Sequence, residues 1–97
     1  MIVRYLELAK REVIETTKYY AELREGLGAE FRKELDDVVG LIAENPMQFE
    51  EVRPGVRRVL LSRFPYGVYY RILGSDLIQI VVVKHHSRRP GFGMRRK

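Results

Sequence analysis

The chain has 97 residues, no cysteine, 45% hydrophobic and 32% charged residues and a formal net charge of +5, the make-up of one soluble globular domain. Without cysteine, disulfides, thiolate zinc sites and a cysteine nucleophile are excluded. The charge is divided by position: residues 1–51 hold seven Lys/Arg and twelve Asp/Glu, while residues 52–97 hold eleven Lys/Arg and one acid, Asp76. Such asymmetry points the basic half at a polyanion, or else marks a solvated basic tail.

Ile2–Leu6 reads as a short strand or the lead-in to a helix. From Glu7 to Glu25 the pattern is helical, because Ala9, Val13, Thr16, Tyr20 and Leu23 recur at spacings of four and three and share one face. Gly26-Leu27-Gly28 is read as the break that ends it. A second helix is expected over Ala29–Glu44, with the stripe Phe31, Leu35, Val38 and Ile42. Asn45-Pro46 closes it, since proline lacks the backbone donor and disfavours helix in the residue before it. The short connection predicts an antiparallel helical hairpin.

After a loop over Pro46–Gly55 the period changes to two. Val56–Leu61, Tyr66–Leu73 and Leu77–Lys84 are the expected strands, with Gly74-Ser75-Asp76 as a hairpin turn. Side chains alternate along a strand. Tyr66, Val68, Tyr70 and Ile72 should therefore face the helices together with Ile78, Ile80 and Val82. Gly67, Tyr69, Arg71, Leu73 and Gln79 are left for an uncovered face. A regular last strand would carry His85 onto that face and His86 toward the core. The expected architecture is α+β, in the order β-α-α-β-β-β, with the hairpin on one face of a small, mainly antiparallel sheet. Residues 1–97 form a single domain with a basic tail from about residue 87. No apolar run approaches the roughly 20 residues needed to span a bilayer, and no signal-peptide core follows the N-terminus, so the cytoplasm is the expected compartment.

Several short motifs then line up in order: Tyr19-Tyr20, Leu27-Gly28-Ala29-Glu30-Phe31, Asn45-Pro46, Pro54-Gly55-Val56-Arg57-Arg58, Phe64-Pro65-Tyr66 and His86-Ser87-Arg88-Arg89-Pro90. In this order and spacing the chain resembles the RelE/ParE toxin superfamily, the toxin half of type II toxin–antitoxin pairs. The resemblance covers nearly the whole chain. It implies a cognate antitoxin as partner, no membrane, no metal or other cofactor, and one of two activities. RelE-type members cut messenger RNA in the ribosomal A site; ParE-type members inhibit DNA gyrase. Fold alone does not choose between them. A nucleic-acid-binding module without toxic activity is the alternative outside both.

Metal-free RNA cleavage requires a base for the 2′-OH, cations on the phosphorane and an acid for the leaving oxygen. His86 is the acid/base candidate, with Arg88 and either Arg57 or Arg58 on the phosphate. Arg58, Arg71, Lys84, Arg89 and Tyr69 are the candidate target-binding residues, Tyr69 by stacking on a base. The bland alternative makes His86 a strand-end residue and the arginines a generic basic surface. Glu50-Glu51 can supply a base from their loop or remain a solvated acidic loop. The two adjacent histidines do not suggest a metal site, because neighbouring strand residues point apart. Where RelE-type members carry a basic residue at the start of the middle strand, this chain has Gly67, and the Phe-Pro-Tyr segment looks more like the ParE branch.

Overall fold

The structure is a computed structural model that describes residues 1–97. Five strands and two helices follow one another: β1 (Ile2–Tyr5), α1 (Glu7–Leu23), α2 (Leu27–Glu44), β2 (Glu50–Arg53), β3 (Val56–Leu60), β4 (Tyr66–Leu73) and β5 (Leu77–His85), with a 3-10 turn at Pro46–Gln48 between α2 and β2. They form one sheet in the order β1-β5-β4-β3-β2. β1 runs parallel to β5, and the other neighbours are antiparallel. The expected α+β fold is therefore present with one strand more than the sequence indicates. The extra strand, β2, falls in the expected loop: Glu50-Glu51-Val52-Arg53 is a charged edge strand with no alternation of apolar residues to reveal it.

Both helices lie on one face of the sheet. Ala9 and Val13 of α1, and Phe31, Leu35, Val38 and Ile42 of α2, pack against Val68, Tyr70, Ile78, Ile80 and Val83. Tyr20, Phe31, Phe64 and Tyr66 add a cluster of edge-on and tilted rings at one end of this layer. The Tyr70 hydroxyl donates to the Pro46 carbonyl at 2.5 Å, so the turn after α2 is fixed from inside the core. Glu34 of α2 accepts the backbone N–H groups of Ser62 and Arg63 and the Ser62 hydroxyl, which ties the β3–β4 turn to the helix.

Gly28 does not end a helix; it lies within α2, and α1 already stops at Leu23. A Cβ at Gly28 would stand 2.7 Å from the Thr17 carbonyl oxygen and 2.9 Å from Ala21 Cβ. The glycine is there to let the two helices touch.

The largest departure from the expected side-chain pattern is in β5. Tyr69 pairs with Val82 but Tyr70 pairs with Ile80, so β5 holds one extra residue at Val81. The bulge reverses the facing of everything after it. Val83 joins the helix-side core, whereas Val81 and Val82 pack on the opposite face with Val56, Tyr69 and Met94. Val82, expected beside Ile80, therefore faces away from the helices. His85, expected on the uncovered face, instead meets the ring of Tyr66 at 5.2 Å.

Candidate functional site

The face expected to be open is covered by residues 87–97. After His85 the chain turns and runs back across the sheet in successive tight turns. Met94 is only 5% exposed and sits against Val56, Tyr69, Val81 and Val82. Gly93 permits the approach: its φ is +75°, and a Cβ there would stand 2.9 Å from Val82. Three polar anchors hold the segment. Arg71 donates to the carbonyls of Met94 and Arg96 and to Gln79. The Lys84 ammonium, on a residue 4% exposed, donates to the carbonyls of Arg89, Pro90 and Phe92. Arg96 forms a two-pronged pair with Glu12 of α1.

Lys84 lies at the centre of this face. Its ammonium also stands 4.7 Å from the centre of the Tyr69 ring. Burial, and then the positive charge of Arg53, pull its pKa below the ordinary lysine value, while Glu12 opposes them. The bulge is what brings Lys84 here, since without the extra residue it would face the helices.

Arg53, Arg58, Tyr69, Lys84, His86 and Arg88 line a pocket of about 250 Å³ beside the tail. Arg58 pairs with Glu50 at 2.8 Å. Burial works against its charge, but Glu50 and the neighbouring Tyr69 raise its pKa overall. Arg88 lies over the Phe92 ring at 4.7 Å. The His86 side chain is exposed and makes no hydrogen bond, while its backbone N–H donates to the Pro65 carbonyl. His85 Nδ1 accepts the N–H of Ser87. Arg89 is exposed next to the pocket.

The structure thus brings together Arg58, Tyr69, Lys84, His86 and Arg88 of the residues singled out from sequence. It separates Arg57 from them. Arg57 pairs with Tyr70 across the strands, on the helix side, and donates to the carbonyls of Met47 and Phe49. Arg71 and Lys84 are engaged by the tail, and Tyr69, only 8% exposed, presents no stacking face. Arg53 escapes a sequence reading because it lies in β2, which has no apolar period. Above Gly67 a Cβ would stand 3.0 Å from the Tyr69 ring and 3.2 Å from Leu60, so these two side chains occupy the space that a longer residue would need.

No helix is long and apolar enough to cross a membrane. Comparison with curated proteins gave no match. Among solved structures, the chain is similar to a "Chromosomal ParDE TA system from P. aeruginosa", with a TM-score of 0.73 and 20% identity over 88% of this chain and 95% of that one. That likeness concerns the fold. Comparison with family models matches residues 3–90 to the family described as "ParE toxin of type II toxin-antitoxin system, parDE". Because the match spans most of the chain, from β1 through the His86–Pro90 segment, the protein belongs to the ParE toxin family of type II toxin–antitoxin systems.

Proposed function

We propose that this chain is the toxin of a type II pair, that it arrests growth by binding DNA gyrase, and that a cognate antitoxin neutralises it. The observation that carries the reading is the occupation of the would-be catalytic face. Cleaving RNA without a metal takes an acid, a base and free cations converging on one phosphate. Here Arg57 is on the other side of the sheet, Arg71 and Lys84 are bound by tail carbonyls, and the space above Gly67 is filled. What is left on the surface is a basic rim, suited to recognition. Arg58, Arg88 and Arg89 are its target-binding residues.

An antitoxin partner is supported by the family and by the similar ParDE structure, itself a toxin–antitoxin system. On this chain, Leu8, Ile14, Tyr19 and Leu23 of α1 are exposed large hydrophobics. A segment that folds on binding needs such apolar contacts to offset its ordering entropy.

A second reading, ribosome-dependent mRNA cleavage, has one observation in its favour: His86, Arg88 and Arg58 line the same pocket. In it His86 acts as acid/base and Arg88 holds the phosphate. A supercoiling assay with purified gyrase, relaxed plasmid and this chain tests the first reading. Inhibition that weakens when Arg88 is changed to Ala supports it; full gyrase activity with excess toxin refutes it.

A further inference from the structure

Beside the pocket, and sharing Arg53 with it, lies a second groove of about 540 Å³, lined by Arg53, Arg89, Gly91, Gly93, Arg95 and Arg96. No apolar side chain lines it. Arg96 is neutralised by Glu12. Arg53, Arg89 and Arg95 are exposed and join no ion pair. Gly91 lets Arg53 lie on the tail backbone, since a Cβ there would stand 3.2 Å from the Arg53 guanidinium. Three unpaired guanidinium groups around one groove repel one another unless an anion bridges them.

We infer that Arg53, Arg89 and Arg95 form a cradle for the phosphate backbone of duplex DNA, bound without regard to sequence. Guanidinium forks match phosphate oxygens in pairs. The shared Arg53 joins this groove to the pocket lined by Arg88, which also joins no ion pair, so a further phosphate can be met there, while Arg58 is held by Glu50. An acidic peptide that folds on binding would need apolar contacts, which this groove lacks. A single strand would need free aromatic faces for its bases. On this side Tyr69 is buried beneath Lys84, and the Phe92 ring is flanked by Arg88 at 4.7 Å and Arg96 at 5.4 Å. This contact goes beyond the gyrase reading and does not depend on it: a toxin that inhibits gyrase without touching DNA leaves that reading intact.

The test is binding of the full chain to a labelled duplex of arbitrary sequence, with no gyrase present, across a salt series. Duplex binding is expected, and R53Q/R89Q/R95Q should weaken it at least tenfold and make the log–log salt slope shallower by about 2 to 3. A control of equal charge loss on the helices, K10Q/K18Q/K33Q, should do neither. R89E/R95E keeps Arg53 on the tail backbone and should also lose binding, with its thermal transition unchanged. The inference is overturned by an unchanged slope in the triple variant, by an equal loss in the control, by tighter binding of single-stranded RNA, or by polyglutamate outcompeting the duplex at equal charge.

Discussion

Arg96 and Glu12, 84 positions apart in sequence, meet through both carboxylate oxygens, at 2.9 and 2.8 Å. The pair closes a gap at the edge of the sheet. β1 ends opposite Ile80, so the outer edge of β5 has no strand partner beyond that point. Glu12 accepts the Val83 N–H at 3.0 Å, and Arg96 donates to the Val81 carbonyl at 3.2 Å. One ion pair thus satisfies an orphan donor and an orphan acceptor while joining α1 to the tail.

Glu12→Ala should leave the Arg96 charge and the Val83 N–H unpaired in a setting where both side chains are under 20% exposed. The expected loss is about 2 to 4 kcal/mol. For a domain of this size that lowers the melting temperature by roughly 10 °C or more. Hydrogen exchange should report faster opening at Met94 and Arg96 than in α2. A variant with unchanged melting temperature would show that the tail is held elsewhere.

Lys84→Met should free the carbonyls of Arg89, Pro90 and Phe92 at once. Unsatisfied buried acceptors cost on the order of 1 to 3 kcal/mol each when they cannot reach water. Because these lie in a surface segment that can open, the expected net loss is about 2 kcal/mol, read by chemical denaturation. Lys84→Arg should not restore stability, since a planar fork does not reproduce three converging ammonium bonds.

Gly28→Ala should force the helices apart, because its Cβ meets the Thr17 carbonyl at 2.7 Å. Backbone cannot yield as a flexible side chain can, so about 1 to 3 kcal/mol is expected despite the gain in helix propensity. Gly40, also in α2, has open space around its Cβ position. Gly40→Ala should stabilise the protein slightly, and the two variants together separate packing from propensity.

Glu34 supplies a pH dependence. Burial works against its charge, but the hydrogen bonds from Ser62 and Arg63 prevail and hold its pKa below the ordinary carboxylate value. Its stabilising contribution is therefore complete above the unfolded value and is lost as pH falls through the lower, folded one. Glu34→Gln should cost about 1 kcal/mol near pH 7. The difference from the parent should shrink steadily below about pH 4. A constant difference down to pH 2 would contradict this assignment.

Most of the fold is legible in the sequence because its apolar stripes are. The helix faces at Ala9, Val13 and Thr16 and at Phe31, Leu35, Val38 and Ile42 are buried as their spacing requires, whereas Leu23, expected on the first stripe, is the last residue of α1 and is exposed. The hairpin over Tyr66–Leu73 and Leu77–His85 follows from the turn at Gly74. The bulge leaves no trace, because Ile80-Val81-Val82-Val83 is apolar in any register and the sheet is covered on both sides there. Every departure in β5 follows from it, including the facing of Val82, Lys84 and His85. The tail reads as solvated because Phe92 and Met94 are isolated among arginines and show no period. Arg57 and Arg58 must point to opposite faces because strand neighbours alternate, and only the pairing of β3 with β4 decides which of them faces the pocket.

His86→Ala separates a surface that binds gyrase from one that cuts RNA. The parent chain and the variant are each expressed without a partner, while growth, plasmid supercoiling and mRNA integrity are followed together. Equal growth arrest by both chains is expected, with supercoiling lost and mRNA intact. Codon-phased mRNA cuts made by the parent and abolished in His86→Ala, with supercoiling normal, would contradict the gyrase reading.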